Sequence, residues 1–226
     1  REAKLPHDEE EGAAGRGKRD YRRAIQRMLR QRDDLEGNEV RALMRLLDDI
    51  RRRTREELAA IHARADDADE FRAFDLANLE AAVDRAGIDF ARAHREHLTA
   101  GMEKSWRAGL DMAPEIAAAL GAAVDAETFR AINPDAILAA QRVGADLVAR
   151  VSADFRVRAK QILALGVAGF RSPMGVMDDI ADLLRTQPDR QTGRLGTIAY
   201  QAERIQRTEM LGAFSIGNEL RHQQLD

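Results

Sequence analysis

Apolar residues recur at three- and four-residue steps through most of this chain of 226 residues. Between residues 39 and 65 the row consists of Val40, Leu43, Leu47, Ile50, Thr54, Leu58 and Ile61. Between residues 71 and 110 it consists of Leu76, Leu79, Val83, Ala86, Phe90, Ala93 and His97. This spacing places the apolar side chains on one face of an α-helix, whereas a strand needs alternating apolar and polar residues, a pattern absent here. We therefore predict an all-α fold.

The same rows, together with Gly and Pro positions, predict four regions. Acidic residues and glycines indicate a flexible arm at residues 1–17. Residues 18–110 form an elongated hairpin of heptad-like helices, with a break at Gly37-Asn38 between a short first helix and the long ones. Residues 111–133 form a loose connector with short helices. Residues 134–226 form a compact C-terminal helical domain.

Composition removes several classes of function. The net charge of -3 speaks against a protein that is basic throughout, the usual balance of a nucleic-acid-binding domain. The absence of cysteine excludes disulfides, thiolate zinc sites and a cysteine nucleophile. No apolar run approaches the roughly 20 residues that span a bilayer, so we expect a soluble protein. The chain begins with Arg1 rather than Met, and we expect it to be a piece of a longer product.

Two arginine clusters stand out against this balance. The first lies within residues 18–32 and comprises Arg19, Arg22, Arg23, Arg27 and Arg30. The second comprises Arg51, Arg52, Arg53 and Arg55. Either cluster can contact DNA or an acidic protein surface. The alternative is a solvated arginine-rich face, which the acidic residues ahead of the first cluster favour.

Three segments partly match motifs for nucleotide or metal binding, and each match is incomplete. Residues 12–18 have the glycine and lysine spacing of a P-loop, yet Arg19 stands where Ser or Thr holds magnesium. The acidic residues 66–70 lack the Gly and the distal Glu of a calcium loop and suit a helix N-terminus. His94 and His97 are three residues apart, which misses the four-residue spacing of a zinc helix. We expect no cofactor and no metal.

The stretch from Tyr200 to Gly217 reads as one amphipathic helix that carries the polar triplet Arg207-Thr208-Glu209. Glu209 falls on the apolar stripe of this helix, so we predict that it meets an arginine from another helix as an internal brace. A carboxylate on an apolar stripe is also a candidate general base, but structural ion pairs produce the same pattern more often. We predict no catalytic residues and no enzyme activity.

Two segments carry a resemblance to a known family. The first is the turn Gly169-Phe170-Arg171-Ser172-Pro173, which leads into an amphipathic helix containing residues 179–184. The second is the helix carrying Arg204, Arg207, Thr208, Glu209, Ala213, Ser215 and Gly217. Together they resemble the phage head morphogenesis family, the Mu F-like minor head proteins, over about a quarter of the chain. Gln206 and Ser215 depart from the Ala and Asn that are usual there.

The resemblance implies a minor capsid protein inside the phage head, near the portal, that is assembled in the host cytoplasm. It implies roles in head assembly and in genome packaging or delivery. The implied partners are the portal protein or the major capsid protein, further copies of the chain and packaged DNA, with no membrane during assembly. The residues alone leave two alternatives, an arginine-rich helical nucleic-acid-binding module and a cellular coiled-coil adaptor. The resemblance adds a third, an enzyme whose active domain follows Asp226, because members of the family can carry fused C-terminal domains.

Overall fold

The computed structural model describes residues 6–63, 73–119 and 134–224, with side chains for 18–63, 76–112, 114–119 and 134–224. Within these residues there are five helices and no strand, which confirms the all-α prediction. The helices are α1 (Pro6–His62), α2 (Ala73–Ala119), α3 (Asp135–Val167), α4 (Pro173–Leu183) and α5 (Thr197–His222). The predicted acidic cluster at residues 66–70 lies outside the described residues.

Helix α1 continues through Gly37-Asn38, so the break predicted there is wrong. A glycine inside a helix costs about 1 kcal/mol relative to alanine, which weakens a helix without ending it. The next turns bury Val40 and Leu43, whose exposed fractions are 6% and 0%. Burial of such side chains contributes roughly 1.5–3 kcal/mol each, more than the glycine costs.

Helix α1 also begins earlier than the sequence predicts. Residues 6–17 of the predicted arm are helical, and residues 1–5 lie outside the described part of the chain. Pro6 suits the first position, since the N–H that proline lacks has no helical partner there and its φ is already helical. The P-loop-like spacing at residues 12–18 consequently lies within a helix rather than in a phosphate-binding loop.

Helix α2 runs past the predicted connector boundary and through Pro114 to Ala119. The helical state of residues 111–119 corrects the prediction of a loose connector there, while residues 120–133 lie outside the described chain. An internal proline removes one hydrogen bond and crowds the preceding turn, at a cost of about 3 kcal/mol. The packing of Ile116 and Ala117, which are 9% and 8% exposed, offsets that cost.

The helices form two compact units that do not follow the predicted linear domains. Unit 1 consists of residues 1–38, 101–140 and 209–226, and unit 2 of residues 39–100 and 141–208. Helices α1, α2, α3 and α5 therefore each contribute residues to both units. The predicted hairpin at 18–110 and domain at 134–226 group the helices differently from these two units.

Unit 2 contains one contiguous apolar core to which all five helices contribute. Leu43, Phe90, Phe155, Ile180 and Ala202 come from α1, α2, α3, α4 and α5 in turn, and each is 0% exposed. The apolar stripes read from the sequence for α1 and α2 thus form the centre of this unit. Among the described side chains of unit 1, the buried apolar ones are Ala24, Met28, Met102, Ile116, Ala117, Ile137, Met210, Ala213 and Phe214.

Candidate functional site

The turn between α3 and α4 is built around Gly169, which has a φ of 77°. This left-handed conformation suits glycine because it has no Cβ to clash with the backbone. The N–H of Phe170 donates to Leu165 O at 3.0 Å, and the N–H of Gly169 donates to Gly166 O at 2.9 Å. These two bonds close α3 as a Schellman motif. Gly169 therefore has a structural role in ending a helix.

Ser172 and Pro173 start α4 as the Ser-Pro pair predicts. The Ser172 hydroxyl accepts a hydrogen bond from the Gly175 N–H at 3.1 Å, and Pro173 is the first helical residue. The short helix then buries Val176 and Ile180 in the core of unit 2. The turn and cap residues of the family resemblance thus position α4, and their polar groups are used within the chain.

The polar residues singled out on α5 are directed to its exposed side. Arg204, Arg207 and Thr208 are exposed. The Arg207 side chain donates to Glu203 one turn earlier in the same helix, at 2.9 Å. Ser215 donates to Leu211 O of its own helix at 3.0 Å. None of these contacts reaches another helix.

The predicted brace at Glu209 has no partner in the described part of the chain. Among those residues, no ion pair or hydrogen bond joins Glu209 to an arginine, and the brace stays a prediction. Partial burial raises the pKa of the Glu209 carboxyl above its ordinary value. A carboxylate that loses water without gaining a cation is slightly destabilising in the folded protein.

Ala213 and Gly217, by contrast, lie on the buried side of α5. In unit 1 this side meets α2 at backbone distance. A Cβ added to Gly217 would collide with Trp106 O and lie 3.1 Å from Leu110 N. A Cβ added to Gly109 of α2 would collide with Phe214 O of α5. The two glycines therefore allow the helices to approach more closely than any larger residue permits.

Ser105 adds a hydrogen bond to the same crossing. Its hydroxyl is 2% exposed and donates to Met210 O of α5 at 2.7 Å. A buried hydroxyl needs such a partner, and here it fixes the axial position of α5 against α2. Neither Gly109 nor Ser105 was recognised from the sequence. The small residues at 105 and 109, one helical turn apart, were the signal available.

The second arginine cluster is neutralised within unit 2. The pairs are Arg51 with Asp182 at 3.7 Å, Arg52 with Asp49 at 2.5 Å, Arg53 with Asp49 at 2.9 Å and Arg55 with Asp178 at 2.8 Å. Two of these pairs join α1 to α4. The cluster therefore acts in packing and surface ion pairing, which leaves little net positive charge for a phosphate.

The first arginine cluster differs. Arg23 lies 3.8 Å from Asp20, and Arg19 also has a partner. Arg22, Arg27 and Arg30 are exposed and form no hydrogen bond or ion pair with any described residue. Arg27 and Arg30 border an open groove of about 1270 Å³ in unit 1, whose lining also includes Arg23 and the acidic residues Asp20, Asp34 and Glu115.

The two candidate metal-ligating histidines have separate environments in unit 2. His94 is 0% exposed, and neither ring nitrogen has a hydrogen-bond partner among the residues that the structure describes. Burial, with a smaller effect of nearby His97, lowers the pKa of His94 to about 3. His97 Nε2 instead lies 2.8 Å from Glu39 O. Among the described residues, no group of three His, Asp or Glu side chains is placed to hold a metal ion.

Asp189 organises the loop between α4 and α5 and was missed from the sequence. Its carboxylate accepts hydrogen bonds from the Thr192 N–H at 2.8 Å and from the Gln191 N–H at 3.0 Å. A further bond comes from Arg185 at 2.8 Å. These bonds, the Thr192 N–H first, hold the pKa of Asp189 well below its ordinary range. The signal was an Asp two and three residues before a polar pair, the pattern of an Asx turn.

None of the helices in the described part of the chain combines the length and apolar content needed to cross a lipid bilayer. Comparison of the chain with protein-family models, curated proteins and solved structures gives no match.

Proposed function

We propose that this protein is a structural minor head protein of a tailed phage or phage-like particle. The observation that carries the proposal is the division of α5 into two sides. Gly217 packs against α2 and Ala213 is buried, while Arg204, Arg207 and Thr208 face outward. The residues that resemble the head morphogenesis family thus supply both a close helix contact and an exposed polar strip suited to a partner protein.

The proposed partners are the portal protein, the major capsid protein or both, and further copies of the chain. The proposed location is the inside of the head near the portal, after assembly in the host cytoplasm. Long helices support such a role because they span distances between partners. Helix α1 has 57 residues and α2 has 47, which correspond to about 85 and 70 Å. In this proposal the protein acts by contact in head assembly and in genome packaging or delivery, and not as an enzyme.

The first experiment is to purify intact particles from the producing strain and to measure the protein by quantitative mass spectrometry. We expect a few copies per particle that resist protease in full heads and become accessible after the DNA is released. Particles that lack the protein, while the same cells contain it in other complexes, would support a cellular coiled-coil adaptor instead.

A charge reversal on α5 tests the partner strip directly. We expect Arg207→Glu to reduce incorporation into particles several-fold, because the exposed strip loses a cation where the partner binds. Arg158→Glu is a matched control, since Arg158 and Arg207 are 44% and 45% exposed and each pairs with a carboxylate one turn away. Equal incorporation of both variants, with both proteins folded, would contradict the assignment of this strip.

A further inference from the structure

We propose that the unpaired arginine face of α1, formed by Arg22, Arg27 and Arg30, binds the phosphate backbone of duplex DNA. Residues 18–32 contain seven basic residues and one acidic residue. Their local charge is thus strongly positive on a chain whose net charge is -3. A phosphate polyanion is the complement of such a surface, and the release of its counterions drives binding.

The pairing of the arginines separates this face from the rest of α1. All members of the second cluster contact carboxylates, with Arg53 2.9 Å from Asp49 as an example. Among the described residues, none accepts a hydrogen bond from, or forms an ion pair with, the guanidinium groups of Arg22, Arg27 and Arg30, which are exposed. A guanidinium presents five N–H donors in a planar fork that matches phosphate oxygens.

The position of the apolar residues favours DNA over an acidic protein. Ala24 and Met28 are 1% and 3% exposed and lie on the opposite, buried side of α1. Tyr21 is 36% exposed and lies three residues before Ala24, whereas Leu29, also 36% exposed, lies two turns after Arg22 and so borders the arginine face. A protein interface is anchored by a desolvated apolar or aromatic centre, and a single partly exposed leucine, Leu29, supplies little of such a centre. Duplex DNA requires only positive charge along its backbone.

The lack of an aromatic residue on the arginine face favours a duplex over a single strand. Proteins that bind single strands without sequence preference stack the bases on aromatic side chains. The arginine face carries Gln26 between its basic residues and no aromatic residue. From Arg22 to Arg30 the helix rises about 12 Å, so the face follows a short stretch of backbone. We therefore assign non-specific backbone contact and no base reading.

Fluorescence anisotropy of the full chain with a labelled DNA duplex of about 30 base pairs, between 50 and 200 mM salt, tests the proposal. The wild-type affinity should fall steeply with salt, with a log–log slope of about -0.9 for each phosphate contact. In the triple variant R22Q/R27Q/R30Q, the magnitude of the slope should decrease by about 3. The affinity of this variant at 100 mM salt should decrease at least about tenfold. The charge-retaining variant R22K/R27K/R30K should keep the wild-type slope.

The matched control is R52Q/R53Q/R92Q, which removes the same number of charges from exposed arginines that pair within their own helices. We expect its slope to be unchanged. Equal weakening in the control would overturn the proposal, because net charge and not this face would then govern binding. Absence of binding by the folded wild-type chain at 50 mM salt would overturn it as well.

Two further readouts keep the test decisive. If the triple variant fails to fold by circular dichroism, Arg27→Gln alone is measured, and its slope should decrease by about 1. Competition by polyglutamate without DNA binding would assign the face to an acidic protein instead. The inference deepens the proposed function by naming its DNA-contacting surface, but particle incorporation is a separate measurement, so either can fail while the other holds.

Discussion

A buried imidazole without a hydrogen-bond partner among the described residues makes His94 a source of acid sensitivity. The folded-state pKa is about 3, and the ordinary value is 6.5. As the pH falls below 6.5, His94 is protonated in the unfolded chain but stays neutral in the folded chain. The unfolding free energy therefore decreases. Between pH 8 and pH 5 this loss amounts to about 2 kcal/mol. We predict that His94→Leu removes this pH-dependent loss. The unfolding free energy of the variant, relative to that of the wild type, should therefore rise by about 2 kcal/mol between pH 8 and pH 5.

Urea unfolding at pH 8 and pH 5 measures this difference, since other titrating groups are common to both proteins. His222→Gln serves as a control because His222 is exposed at the end of α5. A constant difference between His94→Leu and wild type across this range would show that the ring is hydrated or paired in solution.

Glu209 yields a prediction opposite to that of an internal brace. A carboxyl whose folded-state pKa is raised by burial destabilises the protein above its ordinary pKa and ceases to do so once it is protonated. Glu209→Gln should therefore leave the melting temperature at pH 7 unchanged or slightly higher, with no gain at pH 3. A marked loss of stability at pH 7 would reveal a cationic partner for Glu209. Differential scanning calorimetry of both proteins at the two pH values gives the answer.

At the scale of the element, the α2–α5 crossing predicts opposite effects for two glycines of the same helix. Gly217→Ala places a methyl group against Trp106 O and should cost about 1–3 kcal/mol. Gly212→Ala meets nothing within 4 Å and should be neutral or stabilising by up to about 1 kcal/mol, since alanine is the better helix former. Chemical denaturation of the two variants checks this. A similar effect of both substitutions would show that α5 does not pack against α2 at backbone distance.

Elements set by local interactions could be predicted from the sequence, whereas elements set by tertiary contacts could not. Apolar spacing predicts the long helices because it sets which side of a helix can be buried, and Ser172-Pro173 predicts the start of α4 through a local cap. The break at Gly37-Asn38 was predicted wrongly because tertiary burial of Leu43 outweighs a local propensity. Gly109 was not recognised, because its absent side chain serves a close helix contact that spacing alone does not reveal.

At the scale of the whole molecule, the sequence predicted the fold class but not the grouping of helices into units. Periodicity identifies the apolar side of α2 without identifying the helix that covers it. The candidate site was likewise predicted only in part, because the sequence locates the arginine clusters but not their ion-pair partners on other helices. Either arginine cluster was predicted to contact DNA or an acidic surface. Partners such as Asp178 and Asp182 on α4 distinguish the neutralised cluster from the one in which Arg22, Arg27 and Arg30 have no partner among the described residues. Ion pairs between distant segments depend on the tertiary fold and have no local signature.

The sharing of four helices between the units predicts that the units unfold together. Phe155 is 0% exposed in the core of unit 2, and Phe155→Ala should cost about 3–5 kcal/mol. Trp106, the single tryptophan, lies in unit 1 and reports on that unit by fluorescence. Because α2 and α5 run from one unit into the other without a break, loss of unit 2 leaves the helices of unit 1 without half of their length. We expect the Trp106 transition of Phe155→Ala to shift to lower denaturant together with the loss of helical circular dichroism. A Trp106 transition that stays at the wild-type midpoint while the dichroism falls in two steps would show that the units unfold independently.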